Sequence, residues 1–202
     1  MIKVSKKRLA IVAMSLDNNN PKFELNYLYI DNENMVSTDT RRLSVVKHLG
    51  KNESEPFLIH QTVVRLALKQ TKAEEFILMP NTIMCLDKHG RQLMILQKDL
   101  ESSKWNFPDY ERIVPKSIEK TIPYNEDAQV AGIFAINHIH INHSYIPPLV
   151  GKSKTDEIYY AGINERNLPV VIFDEHKEIK VIIMPIIDTL PIIDEACNKQ
   201  SA

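Results

Sequence analysis

Two consecutive stretches of the chain, residues 1–50 and 51–100, share one order of predicted elements: a helix and then three strands. The helical parts repeat apolar residues at three- and four-residue spacing, and the strand parts alternate apolar and polar residues. The helices are predicted from a Ser5 cap to Leu16 and over 61–72, and the strands over 23–30, 35–38, 43–47, 75–79, 82–87 and 92–97. Such a repeated unit predicts an α+β protein with antiparallel sheets.

A third unit follows, with no fourth to match it. Residues 116–129 are polar and show no periodicity, so no regular element is expected there. Beyond them, a strand is predicted over 130–141 and a short helix over 142–150, and three more strands over 157–160, 170–173 and 180–184. Residues 188–202 form a mostly polar tail.

Composition narrows the class of protein. A chain of 202 residues, 44% hydrophobic and 25% charged, can bury a core and is ordinary for a soluble globular protein. No apolar run approaches the ~18 residues of a membrane span, and residues 1–8 lack a signal-peptide core, so we expect a cytoplasmic protein. Cys85 and Cys197 are too isolated to indicate a disulfide framework or a zinc site. With a net charge of −1, any nucleic acid must be bound by local patches.

Basic residues concentrate on the two predicted helices. They are Lys6, Lys7, Arg8, Arg65, Lys69 and Lys72. The first three lie in an initial helical turn, where cations oppose the helix dipole, and the last three share one face by their i, i+4, i+7 spacing. A charged helix face is usually just solvated, but matching basic faces on repeated units favour phosphate contacts with DNA.

A histidine cluster is the starting point for an enzymatic interpretation. His138 and His140 would point to the same face of a strand, and His143 follows closely, as metal ligands can. No carboxylate completes the set nearby, and no P-loop, dinucleotide-binding glycine motif or serine-histidine-aspartate signature is present in the sequence. We therefore expect a protein that is not an enzyme and uses no cofactor or metal, with a small metal-dependent enzyme as the rival.

The stretch 104–115, Lys-Trp-Asn-Phe-Pro-Asp-Tyr-Glu-Arg-Ile-Val-Pro, separates the second unit from the third. Pro108 and Pro115 bracket an extended segment whose aromatic side chains must pack on something nearby. Residues 107–115 resemble Phe-Pro-Asp-Tyr-x-Arg-(Ile/Val)-x-Pro, which is typical of the end of the middle domain of the bacterial sliding clamp, the beta subunit of DNA polymerase III.

Five further segments resemble the same family, in the same order. Residues 25–26 are similar to its Leu-Asn-Gly segment, 38–43 to Thr-Asp-Gly-His-Arg-Leu, and 142–145 to Asn-x-x-Tyr. Residues 169–172 resemble a Pro-(Val/Leu)-x-Ile strand, and 181–186 resemble the closing Val-Val-Met-Pro-Met. Each segment is weak evidence alone, whereas the ordered set is strong.

The resemblance implies the DNA clamp fold, with repeated helix-plus-antiparallel-sheet units and the helices on one face. Residues 1–116 look like a complete middle domain, and 117–187 like a C-terminal domain without its first half. The family implies a processivity factor of DNA replication that binds or encircles double-stranded DNA and docks DNA polymerase and clamp-loader peptides. Clamps close a ring of six domains, each made of two half-units. Four copies of this chain, each with three such units, would supply as many half-units as that ring, so a homo-oligomer is expected. The basic residues above, with Lys152, would face DNA.

The family also implies a peptide pocket between the middle and C-terminal domains. Its residues here would be Leu25, Thr38, Thr40, Arg41, Arg42, Leu43, Pro108, Arg112, Ile113, Asn142, Tyr145, Ile182, Met184 and Pro185. An extended peptide in an apolar groove with polar edges suits such a set. Thr40 stands where the family pattern has glycine, and Arg41 where it has histidine, which changes the expected peptide specificity.

Two hypotheses concern regulation. The tail over 188–202 extends past the family's usual end, so it is predicted to lie near the pocket and compete with partner peptides; its deletion should strengthen peptide binding. A rival of the same fold is a clamp relative that binds such peptides without encircling DNA, as a decoy or regulator.

Overall fold

The computed structural model describes residues 1–17, 22–48, 50, 55–98, 107–123, 159–163 and 169–185. These contain helices α1 (Lys6–Ala13) and α2 (Gln61–Leu68), with short 3₁₀ turns at Phe23–Asn26 and Tyr110–Arg112. The first eight strands are β1 (Ile2–Ser5), β2 (Tyr27–Ile30), β3 (Asn34–Thr38), β4 (Arg42–Lys47), β5 (Phe57–His60), β6 (Glu75–Met79), β7 (Thr82–Leu86) and β8 (Gln92–Gln97). The others are β9 (Lys120–Pro123), β10 (Tyr159–Ile163), β11 (Val170–Asp174) and β12 (Ile179–Ile183).

Both helices begin at a side-chain cap. The Ser5 hydroxyl accepts a hydrogen bond from the backbone N–H of Arg8, as predicted, and His60 Nδ1 accepts one from the N–H of Thr62 at 3.1 Å. Helix α2 ends at Leu68, earlier than predicted, because no apolar residue between Leu68 and Ala73 holds another turn on the core.

The first two units exchange a strand. β1 pairs with β6 in a four-stranded sheet of order β1-β6-β7-β8, and β5 pairs with β2, next to β3 and β4. Each unit thus donates the strand before its helix to the sheet of the other unit. Sequence analysis did not assign β1 as a strand, because four residues beside a strongly helical pattern carry little periodicity of their own.

The third unit extends the sheet that contains β4. Among the described strands, this sheet has eight members in the order β5-β2-β3-β4-β12-β11-β10-β9, antiparallel throughout. β9 pairs with β10 in the same way that β5 pairs with β2. β9 therefore takes the place of an exchanged strand in the third unit. The expectation of no regular element over 116–129 was wrong here, because β9 has only four residues, which is too few to show a periodicity. Within the described part of the sheet, β9 lies at the edge.

The main core lies between the helices and the inner faces of both sheets. α1 packs on β1, β3 and β4, α2 packs on β2, β5, β7 and β8, and the two helices pack on each other. Ser15 and Ser44 share a buried hydrogen bond of 2.6 Å, and the Ser37 hydroxyl donates to the carbonyl of Val12, which fastens α1 to the sheet. The predicted α+β fold, with helices on one face of antiparallel sheets, is confirmed.

Candidate functional site

The antiparallel pairing of β4 with β12 joins the sheet of the first unit to the third unit. Leu43 lies opposite Ile182, and both side chains are buried on the outer face of the sheet. The ladder continues beyond the strands, since Met184 donates its N–H to the carbonyl of Arg41 at 2.8 Å. This junction brings together two segments that the sequence analysis assigned to the peptide pocket, 38–43 and 182–185.

The turn between β3 and β4 is built around Asp39. Its Oδ1 accepts hydrogen bonds from the backbone N–H groups of Arg41 at 3.0 Å and Arg42 at 2.8 Å, and its Oδ2 pairs with Arg42 Nε at 2.8 Å. Thr40 has a φ of 74°, which is strained for a β-branched residue and explains why glycine suits this place. Arg42 is therefore held within the turn, whereas the side chain of Arg41 is exposed.

A second turn, between β7 and β8, uses an aspartate in the same way, and sequence analysis did not assign this role to Asp87. Asp87 Oδ1 accepts from the N–H groups of His89 at 2.8 Å and Arg91 at 2.9 Å, and its Oδ2 accepts from Arg91 Nε at 2.9 Å. These hydrogen bonds, led by that from the Arg91 backbone, lower the pKa of Asp87. An aspartate directly after the first strand of each hairpin, β3 and β7, was the available sequence signal.

Residues 107–118 cover the outer face of the eight-stranded sheet. Phe107 stacks on Tyr29, with ring centroids 4.8 Å apart, and Tyr110 donates a hydrogen bond to Asp31 Oδ2 at 2.6 Å. Burial, and then the Asp31 carboxylate, raise the pKa of Tyr110. At the other end of this segment, Ile118 lies 2.8 Å from the place that a β-carbon on Gly162 would occupy. The aromatic stretch thus packs across both units, as its prolines and aromatics predicted.

A cavity of ≈ 480 Å³ opens beside this segment, at the turn between β2 and β3. It is lined by Tyr29, Asp31, Asn32, Glu33, Asn34, Pro56, Phe107, Pro108, Asp109, Tyr110 and Glu111. Four of these are carboxylates, and Pro108 is the single member shared with the predicted peptide pocket. The cavity therefore lies away from the β4–β12 junction and has an acidic lining.

The structure assigns the predicted pocket residues to three groups. At or beside the junction lie Thr38, Thr40, Arg41, Arg42, Leu43, Ile182, Met184 and Pro185. Leu25 is buried just before β2. Because β2 pairs antiparallel with β3, which ends at Thr38, Leu25 lies at the same end of the sheet as the junction. Pro108, Arg112 and Ile113 are exposed on the covering segment. Asn142 and Tyr145 lie outside the described residues.

The lysines of the two helices gather at one place. Lys6 Nζ donates to the carbonyl of Gln70 at 2.8 Å, so the start of α1 lies against the end of α2. Lys69 caps the C-terminal end of α2, and Lys69 and Lys72 are exposed there. We call Lys6, Lys7, Lys69 and Lys72 the lysine cluster. Glu74, exposed in the same turn, is the nearest acidic residue in sequence.

Two other predicted DNA contacts are engaged within the fold. Arg8 donates to the carbonyl of Lys47 at 2.6 Å and forms an ion pair with Glu178, whose pKa it lowers. Arg65 donates to Gln61 and, at 2.8 Å, to the carbonyl of Leu16. Both guanidinium groups therefore link helices to neighbouring segments. Lys152 lies outside the described residues.

The predicted histidine cluster of His138, His140 and His143 also lies outside the described residues, as does the tail over 188–202. Within the described ranges, no group of histidine, cysteine, aspartate and glutamate side chains is arranged to hold a metal ion. In the same part of the chain, no helix is long and apolar enough to span a membrane.

Two sheets completed by exchanged strands, with paired helices on their inner side, define the DNA clamp fold. The chain has the fold of the bacterial sliding clamp, the DNA polymerase III beta subunit. It is similar to the beta subunits of Borrelia burgdorferi (TM-score 0.68, 14% identity), Caulobacter crescentus (0.65, 15%) and Pseudomonas aeruginosa (0.63, 14%). In each case 93% of this chain is covered, against 64%, 65% and 67% of the clamp.

The chain thus spans about two thirds of the length of these clamps. No protein-family model and no curated protein sequence matches it. The resemblance inferred from short motifs is confirmed at the level of the fold.

Proposed function

We propose that this protein is a non-catalytic, sliding-clamp-like processivity factor that binds duplex DNA and docks peptides of DNA polymerase and clamp-loader subunits. The observation that carries the proposal is the clamp fold over 93% of the chain. In this proposal, residues 1–116 act as a middle domain and 117–187 as a shortened C-terminal domain. The position of β9 as an exchanged strand supports that division.

DNA contact is assigned to the lysine cluster. Its members come from two helices that meet on the side of the sheets opposite the covering segment. Lys69 and Lys72 are exposed, and lysines contact phosphates without reading base sequence. Binding of this kind is non-specific and weakens steeply with salt.

The DNA proposal is tested with Lys69→Glu and Lys72→Glu, singly and together, in the full chain. Binding to a duplex oligonucleotide is measured by fluorescence anisotropy over a range of salt concentrations. Each lost phosphate contact should reduce the salt slope of log K by about 0.9. The matched control is Lys88→Glu, an exposed lysine in the turn between β7 and β8. Equal losses for cluster and control variants would contradict a DNA-facing lysine cluster.

Peptide docking is assigned to the β4–β12 junction. Met184, 42% exposed, and Pro185 follow β12 directly, beside the exposed Arg41. An apolar side chain next to a cation suits a short peptide with hydrophobic and acidic residues. Two solved clamps support such docking: that of P. aeruginosa has been solved bound to griselimycin, and that of C. crescentus with polyethylene glycol bound to a region proposed to tether β-motifs.

The peptide proposal is tested with Met184→Lys, which places a second cation on an apolar contact. A labelled peptide with hydrophobic ends and an acidic centre should lose about tenfold or more in affinity. Leu66→Lys, equally exposed at 42% but on α2, is the control. Unchanged affinity in Met184→Lys would remove the junction from the proposal and leave the DNA proposal standing.

A peptide-binding decoy of the same fold, which does not encircle DNA, is the second candidate. A decoy would bind the peptide at the junction and show no retention on circular duplex DNA. Retention on circular DNA that is lost when the circle is linearised would instead identify an encircling clamp.

A further inference from the structure

The side chain of His60 lies between two hydrogen-bond donors. Its Nδ1 accepts a hydrogen bond from the backbone N–H of Thr62 at 3.1 Å, which caps α2. The Lys98 ammonium lies 3.1 Å from Nε2 and 3.3 Å from Nδ1. A neutral imidazole has one nitrogen that accepts a hydrogen bond, whereas an imidazolium has none, since both of its nitrogens carry hydrogen. Only the neutral ring therefore suits this place.

The contact between His60 and Lys98 also links the two sheets. His60 is the last residue of β5, at one edge of the described eight-stranded sheet, and Lys98 follows β8, at one edge of the four-stranded sheet. The backbone of Lys98 is fixed there, because its N–H donates to the carbonyl of Asn81. A charge on His60 would thus act on the start of α2 and on the ends of both strands.

The surroundings of the ring oppose such a charge. Lys98 and, from β2, Tyr27 are the charged and titratable groups that face it from the described elements; the Tyr27 ring lies edge-on, with centroids 5.1 Å apart. The first turn of α2 contains no acidic residue, and the N-terminal end of a helix carries a partial positive charge. Burial, and then the Lys98 ammonium, lower the pKa of His60.

We propose that the contact between His60 and Lys98 is an acid-sensitive switch at the start of α2, closed while His60 is neutral and open when it is protonated. In the open state, the N–H of Thr62 loses its acceptor at a helix end, where backbone N–H groups have no partner within the helix. The imidazolium and the ammonium also repel each other, which separates the end of β8 from the end of β5.

The pH range of the switch follows from the direction of the shift. The pKa of His60 in the folded chain lies below its ordinary value of 6.5. The stabilisation by this contact is therefore fully present above about pH 6.5 and is lost as the pH falls through the lower, folded pKa.

His48 provides a contrast within the same chain, because its ring lies between two acceptors. Its Nδ1 is 2.9 Å from the carbonyl oxygen of Gly50, and its Nε2 is 3.0 Å from that of Asp31. A protonated ring can donate to both oxygens, so acid should open the contact of His60 and leave those of His48 in place. The proposal rests on these donors and acceptors and goes beyond the proposed function, since it requires neither DNA nor peptide binding.

The first test follows the His60 ring of the full chain by NMR while the pH is lowered. The expected pKa is below 6.5, and Lys98→Met should raise it because the neighbouring ammonium is removed. The matched control is Lys88→Met, in the turn between β7 and β8, which should leave the pKa of His60 unchanged. A pKa at or above 6.5, or the same pKa in the parent chain and in Lys98→Met, would overturn the proposal.

The second test locates the opening by hydrogen exchange at pH 7 and pH 5, corrected for the intrinsic effect of pH on exchange. Protection of the first-turn amides of α2 should fall at the lower pH, by up to about tenfold for each unit by which folding lowers the pKa of His60. Helix α1 is the internal control, because its Ser5 cap does not titrate. His60→Asn retains a capping side chain that cannot be protonated and should remove the acid effect. No loss of protection at α2, equal losses at both helices, or a loss that persists in His60→Asn would overturn the proposal.

Discussion

The two sheets of this protein end in hairpins of the same design but have opposite surroundings. In the eight-stranded sheet, residues 107–118 cover the outer face and β12 closes the last strand of the second hairpin. In the four-stranded sheet, Ile77, Met84 and Ile95 lie in register across three strands, and no described segment covers them. The comparison teaches that the repeated unit fixes the backbone, while the segment that follows each hairpin decides whether the outer face of its sheet is buried or exposed.

The largest expected difference is between two isoleucines. Ile182→Ala should lower the free energy of unfolding by about 2–5 kcal/mol, because it empties a fully buried position at the junction. Ile95→Ala, on the open strand, should change it by about 0.5 kcal/mol or less at concentrations where the chain is monomeric. Denaturant titration measures the free energy of unfolding of both variants. Similar losses for the two would contradict the difference between the covered and the open sheet.

The covering segment is tested next through its hydrogen bond to the sheet. Tyr110→Phe should destabilise the protein by about 1–3 kcal/mol, because Asp31 Oδ2 loses the hydroxyl donor at a half-buried position. Tyr160→Phe is the control, since that ring stacks on Phe173 in the same cluster. An equal effect of both changes on thermal unfolding would show that the hydrogen bond adds no stability.

The two equivalent turns predict effects of opposite sign. Thr40 and Gly90 both have positive φ, 74° and 75°, in the β3–β4 and β7–β8 turns. Thr40→Gly should stabilise the protein by about 1 kcal/mol, and Gly90→Ala should destabilise it by about 1 kcal/mol. No atom lies within 4 Å of the added methyl group at Gly90, so the second effect reports backbone strain alone. Effects of the same sign in denaturant titrations would show that the turns are not equivalent.

The smallest effect concerns acid stability at the covered sheet. The hydrogen bond from Arg8 lowers the pKa of Glu178, so the ion pair contributes stability above the carboxyl group's unfolded pKa of about 4.3. This contribution is lost as the pH falls through the lower, folded pKa. Glu178→Gln should therefore flatten the acid side of a plot of stability against pH, by less than about 1 kcal/mol. Glu175→Gln, exposed in the same turn, should leave it unchanged; an unchanged slope in Glu178→Gln would contradict the linkage.

Sequence analysis recovered the elements whose pattern is local. The α1 cap at Ser5 and the strands over 75–79 and 92–97 match the structure, because propensity and periodicity agree within a few residues. β1 and β9 were missed because each is defined by a partner far along the chain. The 3₁₀ turn at Phe23–Asn26 was assigned to a strand, since its alternation of aromatic and polar residues resembles one.

The candidate site was predictable in part for the same reason. Short motifs located the segments 38–43 and 182–185, and the structure joins them at β4 and β12. Arg8 contacts Glu178, and Arg65 contacts the carbonyl of Leu16. The partners in each pair lie far apart in sequence, so no spacing rule could predict these contacts. The meeting of Lys6 with the end of α2 depends on helix packing in the same way.

The exchange of β1 and β5 between units also governs the order of events during folding. Ile2 finds its partner Leu78 only after most of the first two units exist, and β5 must arrive before the edge of β2 is closed. Such long loops slow folding, and a nascent chain that emerges from the ribosome would hold residues 1–50 without a complete sheet until β6 is made. Truncation between the two units should therefore abolish a stable fold rather than release a smaller one.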